Sequence, residues 1–336
     1  MRILIDVMGG DKAPLEMLRG AAMARKEFDD AFVLIGDTEQ INQVAAQENI
    51  DLSGFEVVPA PSVVHMEDDP FCVTRAKKDS SMAVGLKMLS SGEGDAFVST
   101  GNTGALFLGS SLYVRPIKGI HRAAIGTILP LSVPVLLLDS GANVVVTPDY
   151  LTQFALMGSL YMKNFYGIEN PRVGLLNNGA EECKGTPVQT DTYKLLTEMK
   201  NIHFVGNIEA NRVAFDTCDV LVADGFTGNV FLKSIEGTGK YLISQLKTVF
   251  KSSPIATLAA LMVKKQLKAM KKNLDPNEAG GAPLLGLKET VIKAHGSSDA
   301  IAFKNAIRQA IVFSKTDFIE ELTNAMTATE QETQNQ

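Results

Sequence analysis

Two stretches of the chain, Asp95-Ala-Phe-Val-Ser-Thr-Gly-Asn-Thr-Gly104 and Asp219-Val-Leu-Val-Ala-Asp-Gly-Phe-Thr-Gly228, match each other without a gap. Each is an acidic residue, three apolar residues, two small or polar residues and then Gly-x-Thr-Gly, and each continues into apolar sequence that can begin a helix. Parallel sheets place such turns at the carboxyl ends of their strands, where ligands usually bind. Glycine lets the backbone come close, threonine offers a hydroxyl, and neighbouring N–H groups can face an anion. Phosphate is the ligand this chemistry favours. Neither turn ends in the Gly-Lys-Ser/Thr of a Walker A loop, and neither reads as GxGxxG. Taken alone, either one is equally readable as a tight strand-to-helix turn with no ligand.

The pattern around them is consistent. Arg2 to Met8 reads as a strand that delivers Asp6 to the turn Gly9-Gly10-Asp11, and Pro14 suits the first turn of a helix over Leu15 to Arg25. Further strands are expected over Ala31 to Gly36, Phe55 to Ala60, Ala96 to Ser99, Pro134 to Asp139, Arg172 to Asn177, Ile202 to Val205, Val220 to Ala223 and Thr290 to Ile292. Helices are expected over Gln40 to Glu48 and Ser80 to Leu89. Strands rich in Val, Ile and Leu, separated by helical stretches, predict an α/β fold with a mostly parallel central sheet covered on both faces. Residues 1–326 read as a single catalytic domain, with 251–280 a basic amphipathic helical insertion. The stretch 327–336 lacks bulky apolar residues and reads as a flexible tail.

Composition narrows the function classes. With 45% hydrophobic and 21% charged residues the chain is expected to fold rather than remain disordered. A net charge of -6 argues against non-specific nucleic-acid binding, which needs a basic surface. The three cysteines, Cys72, Cys183 and Cys218, are isolated and odd in number, as suits a reducing compartment. Cys183 and Cys218 read as small apolar packers. No basic-then-apolar leader opens the sequence and no apolar run approaches the ~20 residues that cross a bilayer. The expected location is therefore the cytoplasm.

Other polar clusters fall at expected strand ends or helix starts. Lys77, in Arg75-Ala-Lys-Lys-Asp-Ser-Ser81, could clamp an anion, while Ser80 or Ser81 could cap the following helix. Arg122 carries a planar donor fork suited to phosphate. Asp139-Ser-Gly-Ala-Asn143 puts an acid and turn residues after a strand, and Lys184 sits in the mixed-charge loop Gly179 to Gly185. His295 could donate a hydrogen bond or exchange a proton, or simply fix the Gly296 turn. Asp224 could cap a helix or position another group, and unpaired it would repel phosphate.

From Lys251 to Lys272 there are six lysines and no acid. On one continuous helix, Lys264, Lys268 and Lys271 would gather on one face, with Met262, Leu267 and Met270 on the other. That pattern fits an exposed helix on its own core, a peripheral membrane contact, a dimer seam or an acidic partner.

The motifs together resemble the PlsX family, the acyl-[acyl-carrier-protein]:phosphate acyltransferases of phospholipid synthesis. The resemblance runs from Ile5-Asp-Val-Met-Gly-Gly-Asp11 through Lys77-Lys-Asp-Ser-Ser81, Ser99-Thr-Gly-Asn-Thr-Gly-Ala105 and Leu138-Asp-Ser-Gly-Ala-Asn143. It continues through Gly206-Asn-Ile-Glu209 and Asp224-Gly-Phe-Thr-Gly-Asn229 to Gly281-Ala-Pro-Leu-Leu-Gly286 and His295-Gly-Ser-Ser-Asp-Ala300. Two departures are Arg122-Ala-Ala, where the family usually has Arg-Pro-Ala, and Val7, where it commonly has alanine.

The resemblance implies an α/β/α sandwich similar to isocitrate and isopropylmalate dehydrogenases and to phosphate acetyltransferases. It implies a homodimer that moves long-chain acyl groups from acyl carrier protein to inorganic phosphate, with no metal and no cofactor, phosphate being a substrate. It further implies peripheral contact with an anionic membrane, where the downstream membrane-bound glycerol-3-phosphate acyltransferase uses the product. Asn102, Thr103, Lys184, Asn229 and His295 are then the candidates for catalysis. Asp6, Gly10, Lys77, Ser81, Gly101, Gly104, Arg122, Asp139, Asn143, Asp224 and Gly228 are candidates for substrate binding. Met262, Lys264, Leu267, Lys268, Met270 and Lys271 are candidates for membrane or partner contact. A phosphate acetyltransferase using acetyl-CoA and a non-enzymatic membrane-associated scaffold for the carrier protein stay open as alternatives, with a dehydrogenase a weaker rival.

Overall fold

A computed structural model of the chain describes residues 1–273 and 280–334, and side chains within 1–270 and 280–328. The strands are β1 (Arg2–Asp6), β2 (Ala31–Gly36), β3 (Glu56–Pro59), β4 (Ala96–Ser99), β5 (Ala124–Ile125), β6 (Thr127–Ile128), β7 (Leu136–Leu138), β8 (Arg172–Asn177), β9 (His203–Glu209), β10 (Val220–Val222), β11 (Ala282–Leu285) and β12 (Thr290–Lys293). The helices are α1 (Leu15–Glu27), α2 (Thr38–Glu48), α3 (Ser81–Ser90), α4 (Thr103–Tyr113), α5 (Pro148–Tyr166), α6 (Pro187–Glu198), α7 (Gly225–Phe250), α8 (Pro254–Met262), α9 (Lys264–Asn273), α10 (Ala300–Ser314) and α11 (Phe318–Gln334). Where the sequence reading expects one domain over 1–326, the chain forms two compact units. The first comprises Met1–Thr127, Leu160–Glu169 and Gly280–Gln336, the second Ile128–Ser159 and Asn170–Ala279.

The first unit is built on a sheet ordered β3-β2-β1-β4-β12-β11-β5. It is parallel from β3 to β12 and antiparallel at β11 and β5. Successive side chains of a strand point to opposite faces, and helices cover both. Ile3 and Ile5 join Met17 and Leu18 of α1 and Phe303 and Ile307 of α10 in one core. On α3, a Cβ at Gly85 would lie 2.1 Å from the Phe97 ring of β4, so that glycine sets how closely the helix approaches. Capping fixes the helix starts: Asp37 accepts from Gln40 N–H, Ser80 from Ala83 N–H and Asp299 from Ala302 N–H. Ser80 is therefore the cap, and both Ser80 and Ser81 are buried.

The second unit has its own sheet, ordered β6-β7-β10-β8-β9, with β7, β10, β8 and β9 parallel. Leu137, Leu221, Leu176 and Ile208 form a core with Leu232 of α7. On α5, a Cβ at Gly158 would lie 2.5 Å from Val220 of β10.

The repeat seen in the sequence extends to a strand pair in each unit. Asp95 donates its N–H to Arg2 carbonyl at 2.8 Å, and its carboxylate accepts Arg2 N–H at 2.6 Å. Asp219 does the same with Arg172, at 2.9 and 2.7 Å. The acid that opens each repeat is thus a latch on the neighbouring strand, at the end of the sheet away from the glycine turn. In the second unit the Arg172 guanidinium also reaches Asp219 through Nε at 3.0 Å and Nη2 at 2.9 Å.

Burial pushes the Asp219 carboxyl up, but the hydrogen bonds and charge of Arg172 together outweigh it and hold the group below its ordinary value. With a depressed folded-state pKa, the stability from this pair is present above the unfolded value of about 3.9 and is lost as pH falls through the folded one. Asp219→Asn should therefore lower Tm above roughly pH 5, with the gap to wild type closing as pH falls below about 3.9. Thermal unfolding followed across that range checks this, and a gap independent of pH contradicts it.

Residues 251–273 depart from a single amphipathic helix. α8 ends at Met262 and α9 begins at Lys264, so Met262 and the lysines lie on different helices. The join at Val263 carries neither glycine nor proline, which is why the periodicity runs through it unmarked. α8 buries no residue, with Ile255 81% and Met262 79% exposed and Leu258 and Leu261 also in solvent. Lys264, Lys268 and Met270 are exposed and Leu267 is half-buried, while the Lys271 side chain and residues 274–279 of the expected insertion lie outside the described residues. Among the described residues no helix is long and apolar enough to cross a membrane. The expected flexible tail is helix as far as Gln334, since nothing between Phe318 and there breaks one; residues 335–336 lie outside the described residues.

Candidate functional site

In the first unit the turns after β1, β4 and β12 press backbone against backbone. A Cβ on Gly9 would lie 2.7 Å from Gly101 N, and one on Gly10, whose φ is +89°, would lie 2.7 Å from Thr100 Oγ1 and 2.9 Å from Gly296 O. Side chains cannot enter there, so glycine is required. Asp6 is buried behind these turns. Its Oδ1 accepts Met8 and Gly9 N–H at 3.1 and 3.2 Å, and its Oδ2 accepts the Ser99 hydroxyl at 2.7 Å. Burial pushes this carboxyl up, against the opposing pull of hydrogen bonds from Ser81, Ser99, Met8 and Gly9. Asp6 and Ser81 thus brace the turn from inside.

Asn102 caps α4, its Oδ1 accepting Ala105 N–H at 3.0 Å. Its Nδ2 donates to the carbonyls of His65, Met66 and Asp68 at 3.2, 2.9 and 3.2 Å. Both ends of the side chain are committed, and the 65–68 segment is tied to the helix start. Next to this tether lies a cavity of about 150 Å3 lined by Met8, Gly10 and Val63 to Glu67. Lys77 belongs to the same tether, pairing with Asp68 at 2.5 Å and donating to Val63 carbonyl at 2.7 Å. Those bonds, from Lys77 first and His65 N–H next, hold the Asp68 carboxyl below its ordinary value. The anion clamp expected of Lys77 is thus occupied by an internal carboxylate.

What remains open is the first turn of α4. Leu106 N–H reaches Asn102 carbonyl and Ala105 N–H reaches Asn102 Oδ1, whereas the N–H groups of Thr103 and Gly104 have no acceptor among the described residues. The Thr103 hydroxyl stands beside them, and the helix dipole adds partial positive charge.

In the second unit the turns after β7 and β10 each carry a carboxylate that takes up backbone N–H groups. Asp139, fully buried, accepts N–H from Gly141, Ala142 and Asn143 at 3.1, 3.1 and 2.6 Å, and the Asn143 amide at 2.9 Å. A carboxylate therefore fills a nest of N–H groups that could otherwise hold an anion. Asp224 caps α7, taking Thr227 N–H at 2.8 Å and its hydroxyl at 2.7 Å, while Gly225 N–H goes to Asn143 carbonyl at 2.7 Å. A Cβ on Gly228 would lie 2.0 Å from Asp139 O, so this glycine is a packing requirement. Asn229 is exposed one turn into the helix and lies against the Gly141 turn, and Phe226, Val230, Val144 and Val145 of the same unit also face solvent.

Lys184 and Arg122 are exposed, one in each unit, and neither ammonium nor guanidinium has an ion-pair partner among the described residues. His295 is exposed in the first unit, with Ser297 N–H donating to Nδ1 at 3.2 Å. A backbone N–H can only donate, so the neutral ring carries its proton on Nε2. Cys218 is buried and its thiol pushed up to about 12 by that burial. Cys183 is exposed, contrary to the expected apolar packing, because the loop after β8 runs over the surface. No group of three or more metal-ligating side chains converges among the described residues.

One buried charged residue drew no role from the sequence, where the last expected strand ends at Ile292. Lys293 closes β12, is buried, and donates to the carbonyls of Thr100 and Ala294 at 3.1 and 2.5 Å. The signal for it was present: a cation directly after an apolar strand and before a glycine turn.

The fold is that of the phosphotransacylases. A phosphotransacetylase from Streptococcus pyogenes superposes with a TM-score of 0.60 at 13% identity, covering 93% of this chain and 94% of that one. One from Staphylococcus aureus gives 0.57 at 13% identity, covering 94% and 93%. At such low identity the likeness concerns architecture alone. Family membership comes from sequence: the model of the family described as "Fatty acid synthesis protein" matches residues 1–321. A phosphate acyltransferase from Acetivibrio thermocellus is 45% identical over 324 residues, 96% of this chain and 95% of that protein. One from Thermotoga maritima is 46% identical over 324 residues, 96% of each chain. The chain belongs to the PlsX family of phosphate acyltransferases and is an enzyme of that class. The acetyl-CoA alternative gives way here, since only the fold, and not the sequence, points to it.

Proposed function

We propose that the protein transfers a long-chain acyl group from acyl carrier protein to inorganic phosphate, releasing acyl phosphate for phospholipid synthesis. At the level of the site, the observation carrying this reading is the α4 turn, where two N–H groups and the Thr103 hydroxyl stand open with no carboxylate among them. A tetrahedral dianion suits that arrangement, and the turn after β10, capped by Asp224, does not.

A phosphate oxygen attacks the thioester carbonyl, the C–O bond forms, and the C–S bond breaks as the carrier thiolate leaves. Phosphate arrives as a competent nucleophile, so positioning and charge stabilisation carry the rate. Gly101, Thr103 and Gly104 form the anion side of this reading, with Arg122 as counter-charge. Lys184 and Asn229 are assigned to the acyl donor, and His295 to a developing oxyanion. Asp6, Gly10, Lys77, Ser81, Asp139, Asn143, Asp224 and Gly228 hold these groups in place. Palmitoyl carrier protein and phosphate should yield acyl phosphate and free carrier thiol, trapped with hydroxylamine. Carrier binding without phosphate-dependent product would favour a scaffold and sink the enzyme reading for this donor.

The same reading places a homodimer at an anionic membrane beside the downstream glycerol-3-phosphate acyltransferase, with α8 and α9 as the contact. The exposed apolar residues of α8 and the exposed lysines of α9 support it. Each lysine near such a surface contributes about 1 kcal/mol, so Lys264→Glu with Lys268→Glu should weaken binding to anionic liposomes by at least about tenfold. Unchanged sedimentation with those vesicles would defeat the membrane contact.

A further inference from the structure

We propose that the carboxyl end of α4, with the neighbouring segment 286–288, is a docking surface for an acidic protein, the acyl carrier protein of the proposed reaction. The partner's identity rests on that functional reading; the charge of the surface does not.

Four cations of the first unit meet there. Lys87 Nζ donates to Lys78 carbonyl at 2.6 Å and lies 5.5 Å from the centre of the ring of Tyr113, the last residue of α4. Two residues on, Arg115 carbonyl accepts Lys288 N–H at 3.1 Å, beside the antiparallel bridge of Pro116 with Leu287. Lys78, Arg115 and Lys288 are exposed and Lys87 is half-buried, and none of the four pairs with a carboxylate among the described residues. In a chain whose net charge is -6 this is a local reversal of sign. Like charges left unpaired side by side repel each other, so the cluster does not serve folding; it does draw in an anionic surface.

The backbone of Arg115 adds a second observation. Its φ is +70°, in the left-handed region, and its N–H closes the end of α4 onto Ser110 carbonyl at 2.9 Å. Glycine is the usual residue there, because a Cβ is strained in that conformation. A long exposed cation thus occupies a position that local structure alone gives to glycine. The negative end of the helix dipole favours a cation at Arg115, but it does not account for Lys78 and Lys288 on other segments.

α4 itself joins this surface to the candidate site. The helix runs from Thr103 to Tyr113, roughly 16 Å at its rise per residue. Thr103, Gly104, Phe107, Leu108, Ser111 and Leu112 are all partly or fully open. Their spacing of four puts them on one face, a largely apolar stripe from the open turn to the cations. A carrier held at the basic end can therefore lay its thioester-bearing arm along α4 toward the turn. Within the stripe only Leu112 is largely exposed, at 52%, so the surface lacks the apolar anchors Ile255, Leu258 and Met262 that α8 offers a bilayer. Opposite charge on a protein suits it better than a membrane.

Combining Lys78→Glu, Arg115→Glu and Lys288→Glu should raise KM for palmitoyl carrier protein at least about tenfold at low salt, with the difference from wild type shrinking as salt is added. KM for phosphate, and kcat/KM with palmitoyl pantetheine, a donor without the protein, should stay within about twofold. Arg115→Gly separates docking from structure: Tm should stay at or above wild type while KM for the carrier rises about threefold. A triple variant with wild-type KM for the carrier, or one that loses as much with palmitoyl pantetheine, would overturn the proposal. If that variant instead loses only binding to anionic liposomes, the surface is a membrane face and the proposal fails. Should the triple variant not fold, an unchanged carrier KM in Arg115→Gly overturns it. Anisotropy of labelled carrier protein without phosphate reads docking apart from catalysis. Carrier binding weakened by the triple variant, in a protein that forms no acyl phosphate, would remove the enzyme reading and leave the docking surface standing. Product formation with carrier binding unaffected by the variant would remove the docking surface alone.

Discussion

Asp139→Ala should lower Tm by roughly 6–20 °C and abolish most activity. Four donors converge on this carboxylate, from Gly141, Ala142 and from both the backbone and the side chain of Asn143. Truncation leaves them facing a void, and stripping one partner from a buried, charged, hydrogen-bonded group costs about 3–5 kcal/mol. Against a total of roughly 5–15 kcal/mol that is a large share, and at ~2–4 °C per kcal/mol it gives the stated shift. The damage also travels to α7, because Gly225 N–H is held by Asn143 carbonyl and the Gly228 Cα packs against Asp139 O. Asp139→Asn keeps the volume but turns an amide N–H₂ toward N–H donors, so it should fall between alanine and wild type. Thermal unfolding together with acyl phosphate formation reads both effects. A Tm within about 2 °C of wild type for the alanine variant would show that water replaces the carboxylate freely.

The two glycine turns show how far residue pattern reaches. Their strand-to-helix geometry was legible because three buried apolar residues and a Gly-x-Thr-Gly leave few other solutions, and the strands Ala31–Gly36, Ala96–Ser99 and Arg172–Asn177 have the bounds the sequence implies. That the turns differ in use was partly legible too, since a carboxylate at 224 stands where residue 100 is a threonine. What sequence could not supply was the destination of each donor. Nothing in Asn102 says that its amide is consumed by three carbonyls of a segment more than thirty residues away, or in Lys77 that Asp68 occupies it. Those contacts are long-range, as are the antiparallel edge pairings of β11 with β12 and β5, and local periodicity does not encode them. The division into two units was hidden for the same reason: the chain leaves the first unit after Thr127 and returns at Leu160 and Gly280 with no change of composition to mark the passages.

The acids Asp95 and Asp219 illustrate the opposite lesson. Position in a repeated motif beside a ligand-binding turn invites a chemical role, yet each carboxylate serves the far end of the sheet by accepting the first N–H of the adjacent strand. Strand direction decides this. In a parallel sheet the residue before a strand and the residue after it lie at opposite edges, so an acid three apolar residues upstream of the turn is a full strand length from it.

Asn102→Ala should reduce kcat/KM by about a hundredfold while costing only about 1–2 kcal/mol of stability, the separation expected of a residue that places a site rather than holds the core. Its Oδ1 caps α4 and its Nδ2 gathers the carbonyls of His65, Met66 and Asp68, so truncation loosens the segment lining the cavity beside Met8 and Gly10. Asn102→Ser divides the two functions. Serine is an N-cap of comparable strength, so the capping share of the lost stability should return, while the bonds from Nδ2 stay broken. If the tether governs the site, the serine variant remains nearly as inactive as alanine, with KM for phosphate and kcat both affected because the turn and its facing segment no longer keep register. Recovery of activity together with Tm in the serine variant would reduce Asn102 to a helix cap and leave the 65–68 segment without a part in the reaction. Asn102→Asp tests the same geometry from the other side: it keeps the cap, sets a carboxylate against three carbonyl oxygens, and adds negative charge at the start of the turn that is to receive an anion. Its activity should fall at least as far as that of alanine, and a carboxylate tolerated there would argue that the phosphate lies elsewhere.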